Sequence, residues 1–322
     1  MGREVSVVVV SYNTRELLAE CLRAVRAEAT ATTVEVWVVD NASTDGSAEL
    51  VEQAFPEVRL IRNARNVGFA AANNQALARA EGELLFLLNS DAVLLPGSLR
   101  ALQDAFRERP ELGLAGPSLW NPDGSRQPSW GDFPRPLFEL LFQSLLYKVW
   151  PCRFPYGRRV HPLLRPAYSR FRWVDWVTGA ALIMRRAVYE TLGGLPEDGF
   201  MYGEDLEYCA RAGAAGFRVG YVPEARACHR LAGSRSDYAR WVESYTRATL
   251  EFYRRHGTAA EQARVSRLVR LGSGLRLVLW RVVGGVHPAR SREAAMRCEG
   301  YRRAVALARS YDQRRREPAS PV

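Results

Sequence analysis

The amino-acid sequence predicts an α/β fold with a mostly parallel central sheet flanked by helices. Three observations lead to this prediction: apolar runs rich in β-branched residues, amphipathic stretches of helical length between them, and polar residues directly after the runs. Continuous apolar runs are typical of strands buried on both faces. Regular alternation of such strands with helices predicts βαβ units and therefore parallel strands.

Four apolar runs in the first third of the chain are predicted as strands. They consist largely of Val, Ile, Leu, Trp and Phe, which suit the buried surface of a sheet. The runs are "VSVVVV" (5–10), "VEVWVV" (34–39), "VRLI" (58–61) and "ELLFLL" (83–88).

Helices are predicted after the first three strands. The first, "TRELLAECLRAVRAE" (14–28), has apolar residues at helical spacing and Asn13 or Thr14 as its cap. The other two lie within "STDGSAELVEQAF" (43–55) and "GFAAANNQALARA" (68–80). Right-handed crossovers place such helices on both faces of the sheet.

The middle of the chain is less regular. Residues 120–136 are rich in Pro, Gly and Trp and are predicted as loops, and residues 137–172 show no clear period. Order returns in "WVTGAALIMRRAVYETLGGL" (176–195), predicted as a strand followed by a short helix. A helix over 203–216, closed by Gly216, and a strand over 217–222 follow.

Polar residues follow all four early strands, at residues 11–13, 40–43, 62–66 and 89–91. Because ligands bind beyond the carboxyl ends of parallel strands, these residues are expected to converge on one site. One polar strand end is an ordinary loop, whereas four together, two of them with an acid, indicate a binding site.

Asp91 is a carboxylate at the end of a buried strand. An unpaired ionised carboxylate in an apolar interior is costly, so Asp91 is expected to face a cleft or to bind a metal. Its hard oxygen ligands suit Mg²⁺ or Mn²⁺, ions that are usually shared with substrate phosphates. The simpler alternative is that Asp91 caps the loop before "LLPGSL".

A second acidic element, Glu204-Asp205, precedes His229 in the sequence. Acids at a helix start are favoured by the helix dipole alone, and a single histidine is more often structural than a ligand. The position of His229 in a polar segment after a strand favours a cluster of Asp91, Asp205 and His229.

With these residues in place, the sequence resembles family 2 glycosyltransferases, in particular bacterial rhamnosyltransferases of cell-surface polysaccharide assembly. The resemblance covers roughly residues 4–256. Each motif is weak alone, but their order is specific. The motifs are "VSVVVVSYN", "VVDNASTDGS", "NARNVGFAAANNQAL", "LLFLLNSDAVL", "GPSLWNPDGSRQPS", "VTGAALIMRRAVYETLGGLPEDGFMYGEDLEYCARA" and "VPEARACHRLAGS".

The resemblance implies a GT-A fold over residues 1–257. Residues 1–118 would form the half that binds the nucleotide sugar, and residues 119–257 the acceptor-binding and catalytic half. Residues 258–322 would form a basic helical extension.

The resemblance also implies roles for individual residues. Asn89-Ser90-Asp91 stands where the family has Asp-x-Asp, so Asp91 is the expected metal ligand, whereas Asn89 departs from the acidic pattern and is expected to contact ribose. Asp205 of "GED" matches the general base, and His229 a histidine near the metal and diphosphate. The expected nucleotide-binding residues are Ser11, Asn13, Asp40 (which would receive a base N–H), Asn66 or Arg65, Asn89 and Ser90. The acceptor-side candidates are Trp176, Gly179 and Glu204.

The implied reaction is inverting transfer of a sugar from a nucleoside-diphosphate donor to a hydroxyl. A metal offsets charge on the leaving diphosphate, and one carboxylate takes the acceptor proton. dTDP-rhamnose is the expected donor, with UDP-sugars as the alternative. The acceptor is expected to be a saccharide or a lipid-linked saccharide.

Three other functions agree with parts of the sequence. A nucleotidyltransferase would also use a carboxylate and Mg²⁺, but the sequence has no G-x-G-x-x-G or P-loop motif. A nucleic-acid-binding role is suggested only by the pI of about 9.7, and no recognition module is visible. A catalytically inactive sugar-binding relative is disfavoured by Asp91, Asp205 and His229.

Basic character is concentrated at the C-terminus. Residues 230–322 hold 20 arginines and 8 acidic residues, a formal charge of +12, which leaves −2 for the rest of a chain whose total is +10. A helix over 264–283 would contain Gly272 and Gly274, which weaken it. Its apolar arc consists of Leu268, Leu271, Leu275, Val278, Leu279 and Val282.

Three interpretations of this arc remain open: docking on the catalytic body, contact with an anionic membrane surface, and a homodimer contact. No apolar run reaches the length of a membrane-spanning helix, and no signal peptide is recognised. Five scattered cysteines without a C-x-x-C pair favour a reducing compartment. The expected location is the cytoplasm, at the inner face of the membrane.

Overall fold

The computed structural model describes residues 4–29, 33–143, 166–197, 203–231 and 238–314. Contacts divide the chain into two compact units, Met1–Phe133 with Arg153–Leu231 and Pro134–Cys152 with Ala232–Val322. Parts of two quoted motifs, residues 198–202 and 232–234, lie outside the described residues.

The first four strands form the parallel part of the sheet. They are β1 (Val5–Ser11), β2 (Val34–Asp40), β3 (Arg59–Arg62) and β4 (Leu84–Asn89), in the spatial order β3-β2-β1-β4. The registers pair Ser11 with Asp40 and Val10 with Asn89. The carboxyl ends of β1, β2 and β4 therefore meet at one edge, which confirms the predicted convergence of their polar ends.

Helices cover both faces of these strands, as predicted. They are α1 (Arg15–Glu28), α2 (Ser47–Ala54) and α3 (Phe69–Leu77). Leu18 of α1 and Val51 of α2 share a core with Val9. Leu77 of α3 shares a different core with Val8. Because successive strand residues point to opposite faces, the two cores lie on opposite sides of the sheet.

The remaining elements complete both units. In chain order they are β5 (Ala92–Leu94), α4 (Ser98–Glu108), β6 (Leu112–Trp120), β7 (Trp130–Gly131), α5 (Pro136–Gln143), β8 (Arg172–Val174), β9 (Trp176–Val177), β10 (Ala181–Arg185), α6 (Arg186–Leu192), α7 (Glu204–Ala214), β11 (Arg218–His229), α8 (Tyr238–His256), α9 (Ala259–Val286) and α10 (Ser291–Arg314).

The second part of the sheet is mixed. β10 lies antiparallel between β4 and β6, β11 runs parallel to β6, and β5 and β8 pair antiparallel with β11. In the described part of the chain this sheet has nine strands, and six of them run in the same direction. The prediction of a mostly parallel sheet flanked by helices is confirmed.

Several stretches differ from the sequence-based expectation. Within the loops predicted over 120–136, residues Trp130–Gly131 form the short strand β7. α5 lies mostly in 137–172, where no period was visible, and β8 begins at the last residue of that stretch. Residues 92–120 form β5, α4 and β6, for which no element was predicted. The strand predicted over 217–222 continues as β11 to His229. Pro223 follows the predicted strand, and an irregular register between Val222 and Arg226 accommodates it within β11. Such a bulge takes up a residue that cannot donate to the ladder.

The second unit is helical in its described residues. The helix predicted over 264–283 lies within α9, which begins with a capping box between Thr258 and Glu261. A Cβ at Gly272 would lie 2.6 Å from Gln143 Cβ of α5. Gly272 therefore permits close packing of α5 on α9, although in a free helix it would weaken helix formation.

Contacts group α5 and α8 with α9 and α10, whereas the sequence-based boundary at residue 257 places both in the transferase domain. That boundary remains a prediction about domains. Within the described part of the chain, no helix is both long and apolar enough to cross a membrane.

Candidate active site

A chain of hydroxyl groups joins the loops that follow β1 and β4 at the carboxyl edge of the sheet. Ser11 at the end of β1 is buried, and its Oγ lies 2.9 Å from Thr14 Oγ1. The Thr14 hydroxyl donates to Ser90 Oγ over 2.9 Å. Thr14 occupies the N-cap position of α1, but its side chain makes no cap hydrogen bond. The structure thus brings Ser11 and Ser90 together.

Asn13 joins the β1 and β2 loops. It has a φ of 53°, a left-handed conformation that asparagine tolerates better than most residues. Its Oδ1 accepts a hydrogen bond of 2.8 Å from the Thr44 backbone N–H, and its own N–H donates to Ser43 Oγ over 2.9 Å. The Asn13 side chain therefore holds the loop that follows Asp40.

Asp40 ends β2 with its carboxylate buried at 3% exposure. Oδ2 accepts a 3.0 Å hydrogen bond from the Ser43 backbone N–H. Oδ1 is buried and has no hydrogen-bond partner among the described residues. A buried oxygen without a partner is costly, so this atom is suited to accept an N–H group from a ligand.

Asn41, which sequence reasoning did not single out, organises the loop after β3. Its Nδ2 donates to Asn66 Oδ1 (2.9 Å) and to the Gly68 carbonyl (3.2 Å), while its Oδ1 accepts from Val67 N–H (3.0 Å) and Asn63 Nδ2 (3.1 Å). Its position directly after Asp40 was the signal available in the sequence, whereas its 2% exposure is known only from the structure. Asn66 Oδ1 is thus used within the loop.

An open cavity of about 680 Å³ lies beside this loop and α3. Asn74 on its wall is held by the segment near Glu197: its Nδ2 donates to the Leu195 carbonyl and its Oδ1 accepts from Leu195 N–H. The cavity is large enough for a sugar or nucleoside. Its lining residues are Arg65, Asn66, Val67, Ala71, Asn74, Gln75 and Glu197.

Asp91 and His229 meet because β5 pairs with the end of β11. The register places Ala92 opposite His229, and Asp91 lies in the tight turn between β4 and β5. His229 Nε2 is 3.2 Å from Asp91 Oδ1 and 3.5 Å from Asn89 Nδ2. Both side chains are largely buried, at 8% and 11% exposure. The predicted proximity of Asp91 and His229 is present in the structure.

The Asp91–His229 pair fits a divalent cation that also binds substrate phosphate oxygens. Neighbouring ligands of an octahedral ion at about 2.0–2.1 Å lie about 3 Å apart, close to the 3.2 Å between Asp91 Oδ1 and His229 Nε2. No cluster of three or more His, Cys, Asp or Glu side chains suited to a metal occurs in the described residues. An ion held by Asp91 and His229 would take its remaining ligands from water or from substrate oxygens.

Asp205 lies in the first turn of α7 and is half-buried. Its Oδ2 accepts a hydrogen bond from Gly179 N–H and its Oδ1 one from Leu206 N–H, each of 2.8 Å. Burial raises the pKa of the Asp205 carboxyl, and the two hydrogen bonds oppose that shift. A raised pKa makes the carboxylate a better proton acceptor.

Two consecutive residues, Gly179 and Ala180, connect Asp205 with the Asn89-Ser90-Asp91 turn through backbone hydrogen bonds. Gly179 binds the Asp205 carboxylate, and its neighbour Ala180 accepts a hydrogen bond of 2.9 Å from Asn89 N–H. β10, which begins at Ala181, pairs with β4. The proposed base and the Asp91–His229 pair therefore lie at the same edge of the sheet.

Of the three acceptor-side candidates, Gly179 and Glu204 lie next to Asp205, whereas Trp176 is hydrogen-bonded to Asp132. Gly179 contacts Asp205 through its backbone, and a Cβ there would lie 3.5 Å from Asp205 Cβ and 3.7 Å from Phe69. Trp176 Nε1 donates to the Asp132 carbonyl over 3.1 Å. Glu204 shares the first turn of α7 with Asp205. An acceptor role for these three residues remains a prediction.

The nine-stranded sheet carries Asp205, the Asp91–His229 pair and the buried Asp40 along one edge. This combination of fold and site is typical of a nucleotide-sugar transferase. The protein-family model described as glycosyl transferase family 2 matches residues 6–161. The N-acetylglucosaminyl-diphospho-decaprenol L-rhamnosyltransferase of Mycobacterium tuberculosis is 34% identical over 245 residues, covering 71% of this chain and 76% of that protein. The chain belongs to glycosyl transferase family 2 and is a hexosyltransferase.

Two further similarities agree with this assignment. The O-antigen biosynthesis protein RfbC of Myxococcus xanthus is 29% identical over 234 residues, covering 72% of this chain and 18% of that protein. The mannosyltransferase PcManGT of Pyrobaculum calidifontis, solved with GDP-Man and Mn²⁺, superposes with a TM-score of 0.57 at 19% identity, covering 97% of this chain and 88% of that chain. The GT-A fold is confirmed, and the nucleotidyltransferase and nucleic-acid-binding alternatives are set aside.

Proposed function

We propose that this enzyme transfers L-rhamnose, with inversion, from dTDP-rhamnose to a hydroxyl of a lipid-linked saccharide. The observation that carries the proposal is the connection of Asp205 through Gly179 and Ala180 to the Asn89-Ser90-Asp91 turn. The rhamnosyltransferase activity for which the mycobacterial relative is named supports the choice of sugar and of a lipid-linked acceptor. UDP-sugars remain the alternative donors.

The nucleotide would bind at the ends of β1, β2 and β4. Asp40 Oδ1, buried and without a partner among the described residues, would accept the N–H of the pyrimidine base. Asn13 and Ser11 would line the same pocket, and Asn89 would contact ribose. Asn66 would contribute through its Nδ2, since its Oδ1 already accepts from Asn41 and from Gly68 N–H.

Asp91 and His229 would hold Mg²⁺ or Mn²⁺, which would offset charge on the departing diphosphate. The Asp205 carboxylate would take the proton of the acceptor hydroxyl as the new bond forms. A single base suffices for direct displacement from the face opposite the leaving group, whereas glycoside hydrolases use a carboxylate pair. Inversion at the anomeric carbon follows from that geometry.

The test is a matrix of nucleotide sugars and acceptors. The enzyme is incubated with dTDP-rhamnose, UDP-GlcNAc, UDP-glucose or GDP-mannose, together with a short-chain GlcNAc-diphospho-lipid or free GlcNAc, and products are identified by mass spectrometry and NMR. We expect a rhamnosylated product only with dTDP-rhamnose and the lipid-linked acceptor, and its anomeric configuration should be the opposite of that of the donor. A donor at 100 times its Kd should also add about 2.7 kcal/mol to the free energy of unfolding. Product formation with another nucleotide sugar, and none with dTDP-rhamnose, would contradict the rhamnose assignment.

We further propose that α9 contacts an anionic membrane surface. Large apolar residues along one side of α9 are exposed: Leu271 (64%), Leu275 (50%), Val278 (57%), Leu279 (44%), Val282 (59%) and Val286 (65%). The opposite side packs within the helical unit, where Val265 is fully buried and Ser266 Oγ donates to the Ala308 carbonyl. The exposed side is therefore separate from the packing face.

Charge complementarity favours lipid as the occupant of this apolar face. Arg267 and Arg281 on α9 and Arg290 beyond it are exposed, whereas the only acidic residue of α9 is Glu261 in its first turn. A basic amphipathic helix binds the headgroup boundary without crossing the bilayer, and each arginine near an anionic surface contributes about 1 kcal/mol. A lipid-linked acceptor would be found at the same surface.

Vesicle co-sedimentation tests this contact. The intact chain should bind vesicles of phosphatidylcholine mixed with phosphatidylglycerol, and less so with phosphatidylcholine alone or at high salt. Leu275→Glu with Val278→Glu should weaken binding about tenfold or more, because two apolar side chains lose their burial. Ala295→Glu with Ala306→Glu adds the same charge at two exposed positions of α10 and serves as the control. Equal vesicle binding by the two variants would contradict the proposal. It would also be contradicted if the substitutions on α9 abolished self-association of the protein and left vesicle binding unchanged.

A further inference from the structure

We propose that Gln127 is a positioning residue that holds the imidazole of His229 with its hydrogen on Nδ1, so that Nε2 presents its lone pair beside Asp91. Gln127 is buried at 3% exposure, and its Oε1 lies 3.1 Å from His229 Nδ1. The use of this lone pair to bind a cation rests on the proposed function. The position of the hydrogen rests on the hydrogen-bond geometry alone.

The orientation of the Gln127 amide follows from its other contacts. Its Nε2 lies 2.5 Å from the His229 backbone carbonyl and 2.9 Å from Asn121 Oδ1. A carbonyl oxygen can only accept a hydrogen bond, so the NH₂ group of Gln127 must point toward it. The oxygen of the same amide then faces Nδ1, and only a protonated Nδ1 can donate to it.

The Asn121 amide is oriented by a carboxylate. Ser125 Oγ donates to Asp123 Oδ1 over 2.6 Å, because an ionised carboxylate has no hydrogen to give. Asn121 Nδ2 can then donate to Ser125 Oγ over 2.9 Å, which leaves Asn121 Oδ1 facing Gln127 Nε2. The direction of each hydrogen bond from Asp123 to His229 is therefore determined. The motif "NPDGSRQ" at 121–127 therefore orients the Gln127 amide toward His229.

The consequence falls on Nε2, the ring nitrogen that faces the turn after β4. With hydrogen on Nδ1, a neutral His229 has a lone pair at Nε2, toward which Asn89 Nδ2 can donate over 3.5 Å. Asp91 Oδ1 is 3.2 Å from the same nitrogen. The Nε2 lone pair of neutral His229 and the Asp91 carboxylate repel each other unless a cation lies between them. Metal-binding histidines are commonly oriented by a hydrogen bond from the ring nitrogen that does not bind the metal.

The hydrogen position can be measured without metal or substrate. The chain contains four histidines, so selective ¹⁵N labelling gives a simple long-range ¹H–¹⁵N spectrum, and His229→Gln identifies the relevant signals. Above pH 8, where histidine is ordinarily neutral, we expect a protonated Nδ1 and an unprotonated Nε2. Gln127→Leu should shift His229 toward the Nε2–H form, whereas Gln127→Glu, which keeps an acceptor oxygen, should retain the Nδ1–H form.

Mn²⁺ binding, followed by paramagnetic resonance of the free ion with and without dTDP, provides the second measurement. Gln127→Leu should weaken Mn²⁺ binding about 10- to 100-fold, the usual effect of losing a partner of a histidine ligand, and Gln127→Glu should weaken it less. Gln103→Leu removes another buried glutamine, which lies on α4 and donates to Glu4 just before β1, and controls for loss of a buried amide.

Two results would overturn the proposal: a wild-type His229 with its hydrogen on Nε2, or a Gln127→Leu variant with unchanged tautomer and Mn²⁺ affinity. If both measurements agree with expectation but no nucleotide sugar is turned over, only the proposed rhamnosyl transfer fails. The two proposals are thus tested separately.

Discussion

Replacement of Asp205 by asparagine is expected to lower kcat by about 100- to 10,000-fold, the range for loss of a general base, with little change in affinity for the sugar nucleotide. The amide is similar in size to the carboxylate but cannot take the proton of the acceptor hydroxyl. Single-turnover rates and thermal stabilisation by dTDP-rhamnose measure the two properties separately. A decrease of less than about tenfold would reduce Asp205 to a charge at a helix terminus.

The amide also changes the local hydrogen bonds, so controls are needed. Asp205 accepts from both Gly179 and Leu206, and an NH₂ group must face one of these donors. Glu204→Gln changes the neighbouring acid in the same turn and should leave most of the activity. If Glu204→Gln lost the larger share of kcat, Glu204 would be the base.

The pH profile adds a readout that misfolding does not imitate. Because burial raises the pKa of Asp205, kcat/KM of the wild type should fall as the pH decreases through a value above the ordinary aspartate pKa of about 3.9. The base must be deprotonated, so activity is present above that pKa and lost below it. The residual activity of Asp205→Asn should lack this acidic limb.

Replacement of Asp91 by alanine is the second large effect, with turnover in Mg²⁺ or Mn²⁺ lowered by about 100-fold or more. A metal supplies several kcal/mol of charge stabilisation to a leaving diphosphate, and each 1.36 kcal/mol is a factor of ten in rate. Without the Asp91 carboxylate, only His229 at the end of β11 would remain of the proposed pair of side-chain ligands. Rates across a Mg²⁺ and Mn²⁺ titration provide the measurement.

Mn²⁺ binding separates a metal role from a structural one. Stabilisation of the wild type by Mn²⁺ with dTDP should disappear in Asp91→Ala, while unfolding without ligands remains cooperative. Asp104→Ala, which removes an exposed aspartate paired with Arg100 and Arg107 on α4, should behave like the wild type. Full Mn²⁺ stabilisation in Asp91→Ala would show that this carboxylate only shapes the turn.

The sequence alone determined the first four strands, the helices between them and the edge at which the site lies. These features depend on short-range patterns: apolar runs define strands, helical spacing defines α1 to α3, and parallel strands must end at a common edge. Ser11, Asp40 and Asp91 could therefore be placed at that edge before any coordinates. The helix over 264–283 was predictable for the same reason.

Only the tertiary structure decided which distant residues meet at that edge. Gln127 and His229 are 102 positions apart, and Gly179 and Asp205 are 26 apart. Their contacts depend on the insertion of β10 between β4 and β6 and on the continuation of β11 past Pro223. Strand pairing of this kind is set by the packing of whole layers, because a local apolar period specifies a strand but not its neighbour.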